Sequence, residues 1–144
     1  MKSLPTENPR KKVVVDTAVL ISATIVDGAY RKLIRKLLQA DFELCIPQEV
    51  INEYYEVIQR PKFKKYEPLF TEIFEELKKS SIILPIAKTY KHKLVSFPED
   101  EGIINCCVEN NIAYLVTHDK EIIGKYNGLE VIFAQDFYSQ FLTN

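Results

Sequence analysis

Val13-Val14-Val15-Asp16-Thr17 combines three consecutive β-branched residues with a carboxylate directly behind them. A short β-branched run is typical of a strand that is buried on both faces of a parallel sheet. Similar short apolar runs recur at residues 42–45, 82–84, 114–116 and 131–133. The sequence therefore predicts about five strands, the first of them at residues 13–15.

Segments with helical periodicity alternate with these runs. Alternation of strands and helices over connections of this length favours right-handed βαβ units and one parallel sheet. We expect an α/β fold, a three-layer sandwich with a central parallel sheet of about five strands. The predicted helices cover residues 17–40 in one or two pieces, 48–59, 68–79, 100–110, 120–125 and 135–142.

The composition is that of one globular domain. The chain has 144 residues, of which 47% are hydrophobic and 27% charged, and chains of roughly 100 to 200 residues usually form a single core. Residues 1–11 are polar and contain two prolines, so we expect a flexible N-terminal arm followed by a single domain over residues 12–144. The sequence contains no run typical of a membrane span or a signal peptide, which predicts a cytoplasmic protein.

The charge balance and the cysteines exclude several classes of protein. Nineteen basic residues against 20 acidic residues give a formal net charge of −1, which excludes a uniformly basic surface. Cys45, Cys106 and Cys107 form neither a disulfide framework nor a C-x-x-C motif, so we expect reduced core residues. The sequence also lacks the phosphate-binding loop, dinucleotide-binding and nucleophile-elbow motifs.

Carboxylates follow two of the predicted strands. Asp16 comes directly after the first strand, and Thr117-His118-Asp119 follows the run at residues 114–116. The carboxyl ends of parallel strands form the usual ligand-binding edge of such a sheet. Neighbouring strands would therefore bring Asp16 and Asp119 into one cleft, where two like charges need a cation. Taken alone, each aspartate is equally well explained as the N-cap of a helix.

Two glutamates lie at the edges of apolar helix faces. Glu53 borders the apolar stripe of the helix predicted over residues 48–59, in which we expect Glu49 to point toward solvent. Glu101 lies at the margin of a second apolar face, with Asp100 as a competing candidate. A solvated helix edge and an acidic first turn are the simpler explanations for these positions.

The set of acidic residues is suited to a hard cation. Oxygen ligands favour Mg²⁺ or Mn²⁺, whereas zinc prefers cysteine and histidine, and the chain has only 2 histidines. Mg²⁺ retains water and binds substrate phosphate oxygens, which favours phosphodiester hydrolysis. The candidate metal ligands are Asp16, Glu53, Glu101 and Asp119.

A basic stretch with interleaved aromatic residues follows the helix that carries Glu53. The segment Arg60-Pro61-Lys62-Phe63-Lys64-Lys65-Tyr66 combines cations with rings on which bases can stack. We therefore expect RNA to bind there. The candidate RNA-binding residues are Arg60, Lys62, Lys64 and Lys65.

The ordered set of motifs resembles the PIN-domain family, particularly its branch of toxin components of toxin–antitoxin systems. The resemblance spans residues 12–142 and rests on Val-Val-Val-Asp16-Thr17, Ile51-Asn52-Glu53-Tyr54, Glu101-Gly-Ile-Ile and Leu115-Val116-Thr117-His118-Asp119. It implies a PIN-like fold and a metal-dependent endoribonuclease that hydrolyses RNA phosphodiester bonds with Mg²⁺ or Mn²⁺. It also implies a homodimer and a cognate antitoxin as partner.

The resemblance also implies roles for individual residues. Asp16 matches the aspartate of the family's first strand and would be the central metal ligand. Thr117 would orient a carboxylate or a metal-bound water. The remaining catalytic carboxylates would be Glu53, Glu101 and Asp119, bound to the metal directly or through water.

Two positions depart from the family pattern and support an alternative. Ala18 stands where this branch usually carries Asn or Ser, and Glu101 stands where Asp is usual. The alternative is a catalytically weak PIN-like module that binds RNA or a protein. A phosphotransfer domain with Asp16 as nucleophile is disfavoured, because Ala18 replaces the second aspartate that a dehalogenase needs, and Lys11-Lys12 replaces the acidic pair of a receiver.

Overall fold

The fold is built on one six-stranded sheet. The computed structural model describes residues 10–88 and 98–143. The strand order is β3-β2-β1-β4-β6-β5, and every neighbouring pair is parallel except β5 and β6. The strands are β1 (Lys11–Val15), β2 (Phe42–Pro47), β3 (Ile82–Leu84), β4 (Tyr114–Thr117), β5 (Gly124–Tyr126) and β6 (Leu129–Phe133).

Helices flank this sheet, which confirms the predicted α/β fold with a central, mostly parallel sheet. The helix predicted over residues 17–40 is two helices separated by a break at residues 26–28. The α-helices are α1 (Thr17–Ile25), α2 (Ala29–Gln39), α3 (Gln48–Ile58), α4 (Glu67–Leu69), α5 (Glu75–Lys79), α6 (Pro98–Glu109) and α7 (Ala134–Phe137). A π-helical turn over Phe70–Phe74 joins α4 to α5, a second π-helical turn over Tyr138–Leu142 extends α7, and 3-10 helices cover Pro61–Tyr66 and Lys120–Ile122.

The position of β1 explains its composition. Val13, Val14 and Val15 are at most 2% exposed, because β1 pairs with β2 on one side and with β4 on the other. β-branched side chains pack well on a sheet that is covered on both faces. Asp16 directly follows this buried central strand and therefore lies at the carboxyl edge of the sheet.

The helix predicted over residues 120–125 is wrong. Only Lys120–Ile122 is helical, as one 3-10 turn, and the chain then enters β5. Asn127 and Gly128 have φ angles of 49° and 91° and connect β5 to β6. An Asn-Gly pair with two positive φ angles is the preferred two-residue hairpin turn, because its twist matches that of the strands. The pair adds a sixth, antiparallel strand to the edge of the sheet.

The start of the domain also differs slightly from the prediction. Lys11, placed in the flexible arm by the sequence, is the first residue of β1 and pairs with Phe42. Arg10 donates to the carbonyl of Phe42 at 3.4 Å and lies 3.6 Å from the carboxylate of Glu43. The rest of the predicted arm, residues 1–9, lies outside the described residues.

The three cysteines are free and buried, in agreement with the sequence-based expectation. Within the part of the chain that the structure describes, no helix combines the length and apolar character needed to cross a membrane.

Candidate functional site

Asp16 has two structural roles at the carboxyl end of β1. Its Oδ1 accepts from the backbone N–H of Val19 at 3.0 Å, so it is the N-cap of α1. Its Oδ2 accepts from the hydroxyl of Thr117, at 2.5 Å, across the sheet. The N-cap, which the sequence offered as one explanation of Asp16, is therefore formed, and the second oxygen of the same carboxylate accepts from Thr117.

The environment of Asp16 disfavours its negative charge. Burial raises the pKa of the carboxyl above its ordinary value of 3.8, and the nearby charge of Asp119 acts in the same direction. The hydrogen bonds from Thr117 and from the Val19 N–H oppose this rise in pKa, as does His118. Asp16 is therefore a half-buried carboxylate that a nearby cation would stabilise.

Thr117 links Asp16 to Asp119. Its hydroxyl donates to Asp16 and accepts from the backbone N–H of Asp119 at 3.0 Å, and its side chain is fully buried at the end of β4. The Oδ1 of Asp119 accepts from the N–H of Glu121 at 3.0 Å, which makes Asp119 the cap of the 3-10 helix. One hydroxyl thus orients both strand-end aspartates.

Glu53 joins the site through Thr17. The buried Thr17 hydroxyl donates to Oε1 of Glu53 at 2.6 Å, connecting the first residue of α1 to the middle of α3. The sequence did not single out Thr17, because nothing in its local pattern shows that α3 packs on α1. As the residue after Asp16, Thr17 holds Glu53 beside the carboxyl end of β1.

Glu101 lies on α6, two residues before Ile103, which lines a small cavity between α3 and α6. This cavity has a volume of about 360 Å³, and Glu53 of α3 and Ile103 of α6 both line it. Glu101 is half-buried, and its backbone carbonyl accepts from the side-chain amide of Asn105 at 2.8 Å. Its competitor Asp100 is also half-buried on the same helix.

The four predicted carboxylates are not gathered into one cluster. Over residues 10–88 and 98–143, no three His, Cys, Asp or Glu side chains lie close enough together to hold a single metal ion. The structure brings Asp16 and Asp119 together around Thr117 and joins Glu53 to them through Thr17. A set of four direct ligands is not formed.

The chemistry of this donor set fits a hard divalent cation. Among the described residues, Asp16, Glu53 and Asp119 form no ion pair with lysine or arginine, whereas several surface carboxylates do. Carboxylate oxygens are the usual ligands of Mg²⁺, which is commonly held by one or two carboxylates together with water and substrate phosphate. Two aspartates at one sheet edge meet that requirement.

The prediction that Glu49 points toward solvent is wrong. Its Oε2 accepts from the backbone N–H of Ala87 at 2.9 Å, and its Oε1 is buried without a hydrogen-bond partner in the described part of the chain. Burial, followed by the charge of Glu49, raises the pKa of the Cys106 thiol to about 12. Glu49 precedes Glu53 by one helical turn and lines the same cavity. The spacing of four residues indicates that the two glutamates share one face of α3.

The predicted RNA-binding residues lie on the 3-10 helix that follows α3. Arg60, Lys62, Lys64 and Lys65 are all exposed, and none pairs with an acidic side chain among the described residues. The ammonium groups of Lys62 and Lys65 lie 5.0 and 5.2 Å from the ring centroids of Phe63 and Tyr66. The segment presents cations and aromatic rings together.

The fold and the site define an α/β protein with an acidic site at the carboxyl edge of a mostly parallel sheet, between its two central strands. A family model described as the PIN domain matches residues 12–121, and the chain belongs to the PIN domain family. This confirms the family resemblance of the sequence motifs.

The fold is also similar to a solved structure, the crystal structure of VapBC2 from Rickettsia felis bound to a DNA fragment from their promoter. The TM-score is 0.63 with 15% sequence identity, over 85% of this chain and 98% of that one. The structural similarity shows that the two proteins share a fold. No curated protein matches this chain significantly in sequence.

Proposed function

We propose that the protein is a Mg²⁺- or Mn²⁺-dependent endoribonuclease that hydrolyses RNA phosphodiester bonds. The observation that carries this proposal is the Asp16–Thr117–Asp119 unit at the carboxyl ends of β1 and β4. It puts two carboxylates where ligands bind in parallel sheets, in a chain that belongs to the PIN domain family. Glu53, held by Thr17, adds a third carboxylate beside them.

In this proposal Asp16 is the central metal ligand. Glu53, Glu101 and Asp119 complete the shell directly or through water, consistent with the separation of their side chains. When bound, the ion would supply an activated water and would neutralise charge on the scissile phosphate.

The protein's own contribution is to orient the carboxylates and shield them. Thr117 and the Val19 N–H each donate to one oxygen of Asp16, which fixes the plane of its carboxylate. Ala18 lacks the polar group usual in this branch of the family, and these two donors hold Asp16 without it. Partial burial makes an uncompensated negative charge at Asp16 unfavourable, because the carboxylate loses part of its hydration. A cation bound to Asp16 would offset this cost.

RNA is the proposed substrate because an exposed basic and aromatic segment follows the helix that carries Glu53. Arg60, Lys62, Lys64 and Lys65 would contact its phosphates, and the interleaved rings would stack on its bases. We further propose a homodimer and a toxin role with a cognate antitoxin, supported by the family and by the fold shared with VapBC2. Such a toxin acts in the cytoplasm, where its RNA targets are.

A cleavage assay with controlled metal tests the proposal directly. A panel of single-stranded and structured RNAs is incubated with the protein in Mn²⁺, in Mg²⁺ and in excess EDTA. We expect internal cuts in either metal and none in EDTA, because hydrolysis at this site depends on the cation. Restoration of cleavage by added Mn²⁺ shows that EDTA removed a metal and did not damage the protein. Equal cleavage in EDTA and Mn²⁺ would contradict a metal-dependent mechanism.

The Thr17 hydroxyl is expected to act as a positioning group for Glu53. Thr17→Val keeps the shape of the side chain and removes the 2.6 Å hydrogen bond to Glu53. Loss of a bond that orients a metal ligand typically weakens metal affinity by roughly 10- to 100-fold. We expect Mn²⁺ binding, measured by isothermal titration calorimetry, to weaken within that range.

Thr24→Val is the matched control for this substitution. Thr24 is also buried on α1, and its hydroxyl donates to the carbonyl of Leu20 at 2.9 Å and lies 3.2 Å from the hydroxyl of Tyr54. Its loss should lower the free energy of unfolding by about 1 kcal/mol while Mn²⁺ affinity stays unchanged. If both variants weaken Mn²⁺ binding equally, Thr17 acts only through stability.

The second candidate function is a PIN-like module that binds RNA or a protein and cuts weakly. The separation of the four carboxylates favours this second function, because no three of them lie close enough to hold one metal ion in the described residues. RNA binding by gel shift without metal-dependent cleavage of any RNA in the panel would support this candidate over the nuclease.

A further inference from the structure

A second cavity lies between α2 and the helical segment at residues 134–142. Its volume is about 580 Å³, within the range of roughly 300–1,000 Å³ that is typical of small-ligand sites. The half-buried rings of Tyr30, Phe133 and Tyr138 line it together with the exposed Lys32. In the described part of the chain, no acidic side chain lines it.

Two lysines lie against these rings. The ammonium group of Lys32 is 5.9 Å from the ring centroid of Tyr138, and that of Lys120 is 5.1 Å from the ring centroid of Phe133. Neither lysine forms an ion pair among the described residues. By contrast, Arg31 of α2 donates to two carbonyls at the end of α1, and Arg35 pairs with an aspartate at 2.9 Å. Of the cations that lie against the rings of the cavity, Lys32 and Lys120 are therefore available to an anionic ligand.

One residue that lines the cavity, Phe133, lies beside the candidate metal site. Phe133 is the last residue of β6 and pairs in register with Thr117, so the two lie on neighbouring strands about 4.8 Å apart. Lys120 directly follows Asp119 in the chain and covers the ring of Phe133. A chain of contacts thus leads from Asp119 to Lys120, then to Phe133 and the cavity.

The lining indicates which ligand fits. Aromatic rings stack on flat heterocycles, and lysines without partners attract phosphate. An apolar side chain of a peptide would use the rings and leave two lysines unpaired, and a free anion would use the lysines and leave the rings bare. A nucleobase with its phosphate uses both.

We propose that this cavity is a nucleobase-binding subsite, which holds one base of single-stranded RNA flanking the phosphodiester at Asp16. Tyr138 and Phe133 stack on the base, and Lys32 and Lys120 contact the adjoining phosphates. The identification of RNA as the substrate rests on the proposed nuclease function. The binding of a nucleobase with its phosphate rests on the residues of the cavity alone.

A single-tryptophan reporter tests the subsite without requiring catalysis. The chain contains no tryptophan, so Tyr138→Trp introduces one indole into the cavity of the full-length protein. This variant is titrated in EDTA with AMP, CMP, GMP and UMP, and with ribose 5-phosphate as the base-free probe. We expect saturable quenching by at least one nucleotide and none by ribose 5-phosphate. Adding Lys32→Gln should weaken the apparent affinity by roughly fivefold, and adding Lys36→Gln on the same helix should not.

Absence of quenching by all four nucleotides overturns the subsite, and equal quenching by ribose 5-phosphate shows an anion site that does not recognise a base. A second measurement compares Lys32, which is exposed, with Lys36, which is half-buried on the same helix. In oligoribonucleotide cleavage, Lys32→Gln should raise KM by roughly fivefold with kcat unchanged, relative to Lys36→Gln, and equal KM values overturn the proposal. Quenching without RNA cleavage would reject the nuclease and retain the subsite. Cleavage without quenching would reject the subsite and retain the nuclease.

Discussion

Asp16→Asn is expected to lower the rate of metal-dependent RNA cleavage by roughly 10²- to 10³-fold or more. The substitution removes the negative charge that would bind the cation, and it replaces the oxygen that accepts from the Thr117 hydroxyl with an amide nitrogen that cannot accept. Asparagine has the same shape and is an equally good N-cap, so the bond to the Val19 N–H that begins α1 is retained. Single-turnover cleavage of a labelled RNA, with wild type and variant purified side by side, measures the effect.

The stability of the same variant is expected to depend less on pH than that of the wild type when metal is absent. Burial raises the pKa of Asp16 in the folded protein, so above the ordinary value the folded state holds more protons than the unfolded state. The wild type therefore loses stability as the pH rises from about 3.8 through the folded pKa, and Asp16→Asn does not. Urea unfolding in EDTA over this range measures the difference.

Asp27→Asn is the control for both measurements. Asp27 is an exposed carboxylate that pairs with Arg35 at 2.9 Å, and its loss should leave cleavage unchanged. If Asp16→Asn cuts RNA as fast as Asp27→Asn, the activity belongs to a contaminant or to another site, and the central role of Asp16 is refuted.

Tyr54→Ala is expected to lower the free energy of unfolding by about 3–5 kcal/mol, the largest stability effect we expect of a single substitution here. Tyr54 is fully buried on α3. Its ring stacks on Phe74 with centroids 3.8 Å apart and meets Phe70 edge-on at 5.7 Å. Removing the ring leaves a cavity between α3 and the π-helical turn, and urea denaturation followed by circular dichroism measures the cost.

Tyr54→Phe separates the ring from the hydroxyl. It keeps both ring contacts and loses only the contact at 3.2 Å with the hydroxyl of Thr24, so it should cost about 1 kcal/mol. A loss for Tyr54→Ala no greater than that for Tyr54→Phe would show that the ring is not a main source of stability. Because Tyr54 directly follows Glu53, we also expect Mn²⁺ affinity to survive in the Phe variant.

Much of the fold could be predicted from local pattern. The valines of β1 form a buried central strand, and the residue behind them reaches the carboxyl edge of the sheet. The hairpin of β5 and β6 could also have been predicted, because Asn127-Gly128 is its turn signal. The prediction of a helix over residues 120–125 did not include this signal, so the sixth strand was not predicted.

The α/β fold and the family can be predicted from local patterns, because strand and helix periodicities and the ordered motifs are properties of near neighbours in the chain. The same patterns indicate the candidate residues at the strand ends.

The connections between these residues follow from the tertiary structure. Thr117 meets Asp16 although the two are 101 positions apart, because β4 lies beside β1. Thr17 meets Glu53, and Glu49 turns inward, because α3 packs between α1 and α6. Such contacts depend on the order of strands and the packing of helices, which no local pattern contains.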